Sequence, residues 1–408
     1  MKKIPRQVWI LGIVSLFNDI GSEILYPILP IFITQILGAP VVVVGLIEGV
    51  AEGSSSLFKT IFGYISDRLQ RRKIFVFLGY FSSALSKIMI ALAGSWPLVF
   101  LGRFSDRFGK GLRTGARDAL LLEQTDRSNK GLIFGVHRSF DSIGAVVGPL
   151  IALLLLNIWH FNIRHILYIA IVPSFIAILF LYFIKDPKRQ VTKKQILPRL
   201  VFPPGFVQMD GLHAVGEPPR PLHLFFLDRF KSLSPKFKLF LLAMAVFSLG
   251  NSTNAFLILR AKSLEISLSL VILAYVLYNL MYTLFSAPAG SLSDKIGSKK
   301  VFIAGILIFV FVYLGFAFNK TAIFVWPLFA VYGVYIAITD TVSKAIVGSY
   351  ISKEEAGTAY GLLQTVTSIF TLLASVVAGI LWSAFSPEAA FIFGATCALI
   401  SVPIFIYL

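Results

Sequence analysis

Residues 63–73 read GYISDRLQRRK, and residues 290–300 read GSLSDKIGSKK. Gly, Ser-Asp, a cation and closing cations recur in register, and each copy directly follows the second long apolar run of its half of the chain. A charged turn that returns at the same place marks an internal duplication. Two similar bundles are a common way to build a carrier, because they can rock about a site held between them. A second echo sets KGLIFGVHRSFD (130–141) against AGTAYGLLQTVT (356–367), keeping Gly131 and Gly135 in step with Gly357 and Gly361.

The apolar runs around these turns define the class. The 408 residues are 57% hydrophobic, with mean hydropathy +0.82 and only 14% charged residues, against about 25% in a soluble protein. That composition belongs to a multi-pass membrane protein. A bilayer core of about 30 Å needs about 20 helical residues, and the chain divides into twelve such lengths: 8–36, 41–66, 74–93, 97–119, 130–155, 163–184, 237–259, 268–291, 300–318, 322–345, 356–381 and 386–407. The odd-numbered joins are short (LGAP, GSWP, FNKT, FSPE), while DRLQRRK, EQTDRSNK, DKIGSKK and SKEE fill even-numbered ones. The positive-inside rule puts the basic joins, and with them both termini, in the cytoplasm. The net charge of +17 then reflects orientation in a lipid bilayer, and no nucleic-acid partner is expected. Cys397 is the single cysteine, so there is no disulfide framework, and the apolar start carries Asp19 and runs to membrane length, so no cleavable signal is expected.

Three parts follow: an N-terminal six-span bundle at 1–184, a cytoplasmic linker at 185–236 and a C-terminal bundle at 237–408. The linker contains KDPKRQVTKKQ, PPGF and GEPPRP, which proline keeps from forming one continuous helix. Its end, LHLFFLDRFKSL, mixes apolar and basic residues as a helix lying in the membrane interface would.

With the repeat, the spans and the turn in place, the chain resembles the major facilitator superfamily over essentially its whole length. The signature of the loop after the second helix, Gly-x-x-x-Asp-Arg-x-Gly-Arg-Arg-Lys, is met by Gly63, Asp67, Arg68, Arg71, Arg72 and Lys73; Gln70 stands where the second glycine belongs, and the C-terminal copy keeps it as Gly297. The fourth-helix signature falls on Gly102, Arg103 and Gly109, with Asp106 and Arg107 in place of a Gln and a Gly. GAVVGPL matches the start of the fifth-helix antiporter signature at Gly144, Gly148 and Pro149, while Ala152 and Leu153 replace its later glycines. The resemblance implies an all-α membrane protein of twelve transmembrane helices in two pseudo-symmetric six-helix bundles. It also implies a monomeric transporter of a prokaryotic inner membrane working by alternating access, neither an enzyme nor a holder of cofactors, with a small-molecule substrate and protons as its partners. Antiport, and therefore export, is slightly favoured over uptake. A latch is implied at the cytoplasmic helix ends: Gly63, Asp67, Arg68, Arg117 and Asp118 in one half, Asp294 and Lys344 in the other.

The fourth span carries the sharpest signal, GRFSDRFGKGLRTGARDALL at 102–121. At about 100° per residue, Arg103, Asp106, Arg107, Lys110, Arg113, Arg117 and Asp118 share roughly 140° of arc. A cation at mid-bilayer costs about 2.5 kcal/mol or more and so faces a cavity or a partner. Partners are available in Asp19 and Glu23 of the first span, Glu48 and Glu52 of the second, and His137, Arg138 and Asp141 of the fifth. Arg103, Arg107 and Lys110 are expected to meet substrate, together with neutral C-half residues Asn251, Tyr275, Tyr278 and Asn279. Asp19, Glu23, Glu48, Glu52 and Asp106 are the expected proton carriers. Lys87 is expected to snorkel outward from a span at the bundle edge. No P-loop is present, so a proton gradient is the expected drive. The alternatives are uptake of an organic anion or siderophore-like polycarboxylate, export of a divalent metal through His137 and Asp141, and a receptor that does not transport.

Overall fold

The computed structural model describes residues 4–69, 71–125, 130–184, 234–350 and 356–408, with the backbone alone described at 60, 64, 67, 68, 130, 131, 349 and 356–358. Residues 185–233, which hold most of the expected linker and its interfacial helix, lie outside the described residues.

Hydrocarbon offers no hydrogen-bond partners, so a spanning segment must satisfy its own backbone. The described chain does this with helices throughout. Span 1 comprises Arg6–Leu25, Leu29–Ile31 and a π turn at Phe32–Ile36; spans 2 to 5 are Val41–Leu69, Arg72–Ala91, Trp96–Leu122 and Lys130–Asn157. Span 6 is Ile163–Ile169 with Ile171–Leu181, and span 7 is Pro235–Gly250 with Ala255–Ser263. Spans 8 to 12 are Leu268–Ile296, Ser298–Phe318, Val325–Tyr350, Ala356–Ala384 and Pro387–Tyr407. Eleven of these are long and apolar enough to cross a membrane; Trp96–Leu122 is excluded by its charges. Serines cap several starts: Ser234 accepts from the Phe237 amide, Ser267 from Leu270 and Ser386 from Ala389.

Two boundaries depart from the sequence reading. The repeated Ser-Asp turn is helical in both halves, because spans 2 and 8 continue past the hydrocarbon width to Leu69 and Ile296; span 8 stops only at Gly297, whose φ of 97° favours glycine. Span 7 is two helices rather than one. Asn251 leaves helical geometry (φ −92°, ψ 79°), and the short polar side chains of Asn-Ser-Thr-Asn compete for backbone partners. The freed groups find neighbours: the Thr253 amide donates to Ser375 Oγ at 3.3 Å, and the Ser252 carbonyl accepts from the Tyr313 hydroxyl at 3.4 Å.

The halves meet along spans 2 and 11 and along spans 5 and 8. On the side of the short joins the contact is backbone to backbone. A Cβ on Gly45 would sit 2.2 Å from the Ser375 carbonyl oxygen, and one on Gly379 2.8 Å from Val42 Cα; the Val42 amide donates to Ser383 Oγ at 3.2 Å. Midway, the hydroxyls of Ser56 and Ser368 are 2.6 Å apart. Beyond them Gly63, Gly135 and Gly361 have open space in the Cβ direction. Among the described residues the bundles are therefore joined on the short-join side and parted on the basic-join side.

Candidate functional site

The charges of span 4 begin as a ladder against span 2. Glu48 and Glu52 stand one turn apart, as do Arg103 and Arg107, so two parallel helices bring them together rung by rung. Arg103 donates from Nε to Glu48 Oε1 at 2.8 Å and from Nη2 to Oε2 at 2.6 Å, with both side chains buried. Arg107 Nη2 lies 2.9 Å from Glu52 Oε1. In this conformation the two arginines expected to meet substrate are matched by two of the carboxylates expected to carry protons.

Asp106 faces the other way, into the bundle. It accepts from Ser83 Oγ at 2.6 Å, and Lys87 Nζ donates to the same hydroxyl at 3.1 Å. Lys87 is 2% exposed, which overturns the expected snorkelling. The reason is helical phase: Ile74, Phe77, Leu78, Phe81 and Leu85 form the exposed stripe of span 3, and Lys87 is on the opposite side, facing Gly21 of span 1 and Ser83.

Span 1 carries Asp19, which accepts from Asn18 Nδ2 at 3.1 Å, and Glu23, which accepts from the Tyr275 hydroxyl of span 8 at 3.0 Å. Gly144 and Gly148 allow span 5 to close on them; an added Cβ would lie 2.9 Å from Asp19 Cβ and 2.7 Å from Glu23 Cβ. Tyr275 stacks on Tyr26 at 5.4 Å and neighbours Tyr278 at 5.5 Å, which in turn neighbours Tyr332 at 5.6 Å. Asn254, in the break of span 7, accepts from Tyr332 at 2.8 Å and donates to Tyr278 at 3.3 Å. Tyr275 and Tyr278 thus form a buried seam between halves.

Two cavities open beside this seam. The first, about 440 Å³, lies between the halves and is lined by Asp19, Lys59, Lys110, Arg113, Thr114, Arg117, Asp118, Arg138 and Asp141 from the N-half and by Asn279, Tyr282 and Thr283 from span 8. Five cations face three carboxylates there. The second, about 570 Å³, lies in the C-half among Phe247, Asn251, Tyr335, Ile336, Thr339, Asp340, Ser343, Lys344, Gln364 and Thr367. Their linings correspond through the internal repeat: Lys110 with Ile336, Arg113 with Thr339, Arg117 with Ser343, Asp118 with Lys344, Arg138 with Gln364 and Asp141 with Thr367. One architecture is built twice, ionised in one half and nearly neutral in the other. Between the copies Arg138 donates to the Tyr282 hydroxyl at 3.2 Å, and that hydroxyl donates to Asp340 at 3.2 Å.

Of the expected substrate residues, Lys110 and Asn279 line the first cavity and Asn251 the second, whereas Arg103, Arg107, Tyr275 and Tyr278 line neither. Among the latch residues, the side chains of Asp67 and Arg68 lie outside the described residues. Gly63 Cα is 3.0 Å from where Gly115 would carry a Cβ, and Arg117 donates to Asp118 at 3.1 Å and to Ser15 at 3.3 Å. Asp294 is exposed, and Lys344 pairs with Asp340 in its own helix at 3.1 Å. His137 Nδ1 is 3.7 Å from Asp141 Oδ2, and among the described residues no group of three metal-ligating side chains forms around them. The break at Asn251–Asn254 went unread in the sequence, although Gly250 followed by three polar residues and a second Asn is a stop signal for a helix.

Two repeat-related helical bundles, joined on one membrane side and enclosing a polar cavity, define a membrane carrier. Residues 11–257 and 239–408 match the Major Facilitator Superfamily, and the chain belongs to that family. It is 34% identical over 407 residues to MJ1317, an MFS-type transporter of Methanocaldococcus jannaschii, across 98% of this chain and 94% of that one. It is 24% identical over 360 residues to Rv2265 of Mycobacterium tuberculosis, across 88% and 82%. Among solved structures, the nucleoside transporter NupG is similar with TM-score 0.77 at 16% identity over 99% of both chains. A bacterial homologue of the human lysosomal transporter Spinster gives 0.68 at 15% identity, over 98% and 94%.

Proposed function

We propose that this transporter moves a small anionic or zwitterionic, amphipathic organic solute by alternating access coupled to protons, with export by antiport as the direction. The observation that carries the reading is the first cavity, where five cations face three carboxylates between the halves while the repeat-related cavity is nearly neutral. A charged group has counter-ions on one side and the organic remainder has tyrosine, threonine and glutamine on the other. Glu23 and Asp19 are the proposed proton carriers. Glu23 is held by a tyrosine of the opposite half, so its charge state is tied to whether the seam is closed. The cavity is parted on the basic-join side, cytoplasmic by the charge rule, which is the loading side of an exporter. Uptake of an organic anion or polycarboxylate uses the same cavity in the opposite direction.

The test is transport by purified protein in lipid vesicles with an imposed pH gradient, across anionic, zwitterionic and cationic solutes. Gradient-driven movement of an anion or zwitterion is the expected result. A preference for cations overturns the substrate class, and saturable binding without transport of any bound solute turns the protein into a receptor.

A further inference from the structure

Resting on that transport reading, we propose that Lys59, Lys110 and Arg113 form a dianion subsite at the N-half wall of the first cavity, so that the substrate's charged group carries two negative charges. Three observations converge on it.

The first is the balance of partners. Within the cavity Arg117 has Asp118 at 3.1 Å, Arg138 has Tyr282 at 3.2 Å, and Asp141 accepts from Ser15 at 2.6 Å. Among the described residues, the side chains of Lys59, Lys110 and Arg113 have no hydrogen-bonded or ion-paired partner, and within the cavity lining Asp19 is the carboxylate left to face them. Three cations against one acid leave two positive charges. The described lining, five cations to three acids, leaves the same two.

The second is Arg113 itself. It is 6% exposed, its guanidinium lies 4.7 Å over the Tyr80 ring, and its Nη1 has no acceptor among the described residues. A Cβ on Gly79 would come within 2.6 Å of Arg113 Cβ, so the stem is held by a close-packed neighbour. A fixed, buried donor without an acceptor, lining a cavity, is directed at a ligand. Lys110 lies three residues before it on the same helical face, and Lys59 reaches in from span 2.

The third is the repeat. At the positions of Lys110 and Arg113 the second cavity has Ile336 and Thr339. The same pocket therefore packs without cations at these two positions, and these charges are not a requirement of the fold. A guanidinium sharing one cavity wall with two ammonium groups suits a compact dianion, either a phosphate monoester or a dicarboxylate.

The experiment measures calorimetric binding to the full chain in detergent at about pH 8, with glycerol 3-phosphate and succinate as dianions, lactate as monoanion and glycine as zwitterion. Either dianion should bind at least tenfold more tightly than lactate. Lys110→Gln and Arg113→Gln should each weaken that dianion about tenfold or more, the worth of one charge-assisted hydrogen bond, with lactate changing less than threefold. Arg113→Lys should recover part of the loss, and unchanged melting and elution profiles exclude misfolding. Lowering the pH to about 5 separates the two chemistries, because a phosphate monoester loses a charge near pH 6 and should weaken more than succinate. Equal affinity for dianions and lactate, no dianion binding, or variants that bind dianions as well as wild type would overturn the subsite while leaving the anion reading in place. Preferential binding of cations would overturn the anion reading itself.

Discussion

Glu48→Gln is the sharpest perturbation of the span 2 and span 4 ladder. The substitution keeps the shape and removes the charge, so Arg103 loses an acceptor that now takes two bonds, at 2.8 and 2.6 Å. Both side chains are almost fully enclosed, at 6% and 3% exposure, and water cannot take the place of the carboxylate. Leaving one partner of such a pair uncompensated costs about 3–5 kcal/mol. For a bundle of this size, at about 2–4 °C per kcal/mol, the melting temperature should fall by about 10 °C. Removing both charges by Arg103→Met with Glu48→Met should cost far less, within about 2 kcal/mol of wild type, because a buried ion pair adds little beyond the apolar contacts that can replace it. Glu52→Gln is the internal comparison: its side chain is 43% exposed, so solvent screens the loss. The assay is thermal unfolding in detergent followed by tryptophan fluorescence, read as a double-mutant cycle. Equal losses for Glu48→Gln and Glu52→Gln, or a double variant no more stable than the single one, would refute the buried pairing.

Other perturbations test separate parts of the structure. Glu23→Gln should abolish pH-driven accumulation in vesicles while solute exchange continues; undiminished accumulation removes Glu23 from the coupling path. Gly45→Ala should force spans 2 and 11 apart, since its Cβ would meet the Ser375 carbonyl oxygen at 2.2 Å; cysteine labelling from the short-join side should rise several-fold, and unchanged labelling shows that the seam yields elsewhere. Lys87→Gln should destabilise by about 2–4 kcal/mol by stripping a buried cation from the Ser83 and Asp106 cluster, whereas a loss below about 0.5 kcal/mol in chemical unfolding is what a surface lysine gives.

The twelve spans were legible because the bilayer imposes a length and a polarity that local sequence must meet by itself. The doubled turn added the symmetry, and the one-turn spacing of Glu48 with Glu52 offered carboxylates as partners for the span 4 cations, although Arg103 and Arg107 were expected to meet substrate. What the spacing did not contain was which charges remain unmatched. Arg103 stands out in the sequence as the family's arginine, yet it is matched by Glu48; Arg113, further along the same stripe, keeps Nη1 without an acceptor among the described residues. That difference depends on which helix packs opposite each rung, a long-range property. Lys87 was misread for a local reason that could have been avoided. Its span has a continuous stripe of Ile74, Phe77, Leu78, Phe81 and Leu85, and Lys87 is out of phase with it, two residues beyond Leu85.

The hydroxyl contact of Ser56 with Ser368 falls near the middle of both helices that carry it, Val41–Leu69 and Ala356–Ala384. Mechanically that is a fulcrum with two nearly equal arms, each about 14 residues or about 21 Å long at 1.5 Å per residue. A relative tilt of about 20° on such arms separates the helix ends by about 7 Å, the width of a small organic solute, and brings the far ends together by the same amount. Gain on one membrane face and loss on the other are thereby matched in size. Moving the contact by a single turn toward either end would lengthen one arm by about 5 Å at the expense of the other, giving a wide mouth on one face and a slit on the other. A midpoint pivot instead gives both faces an aperture of the same size.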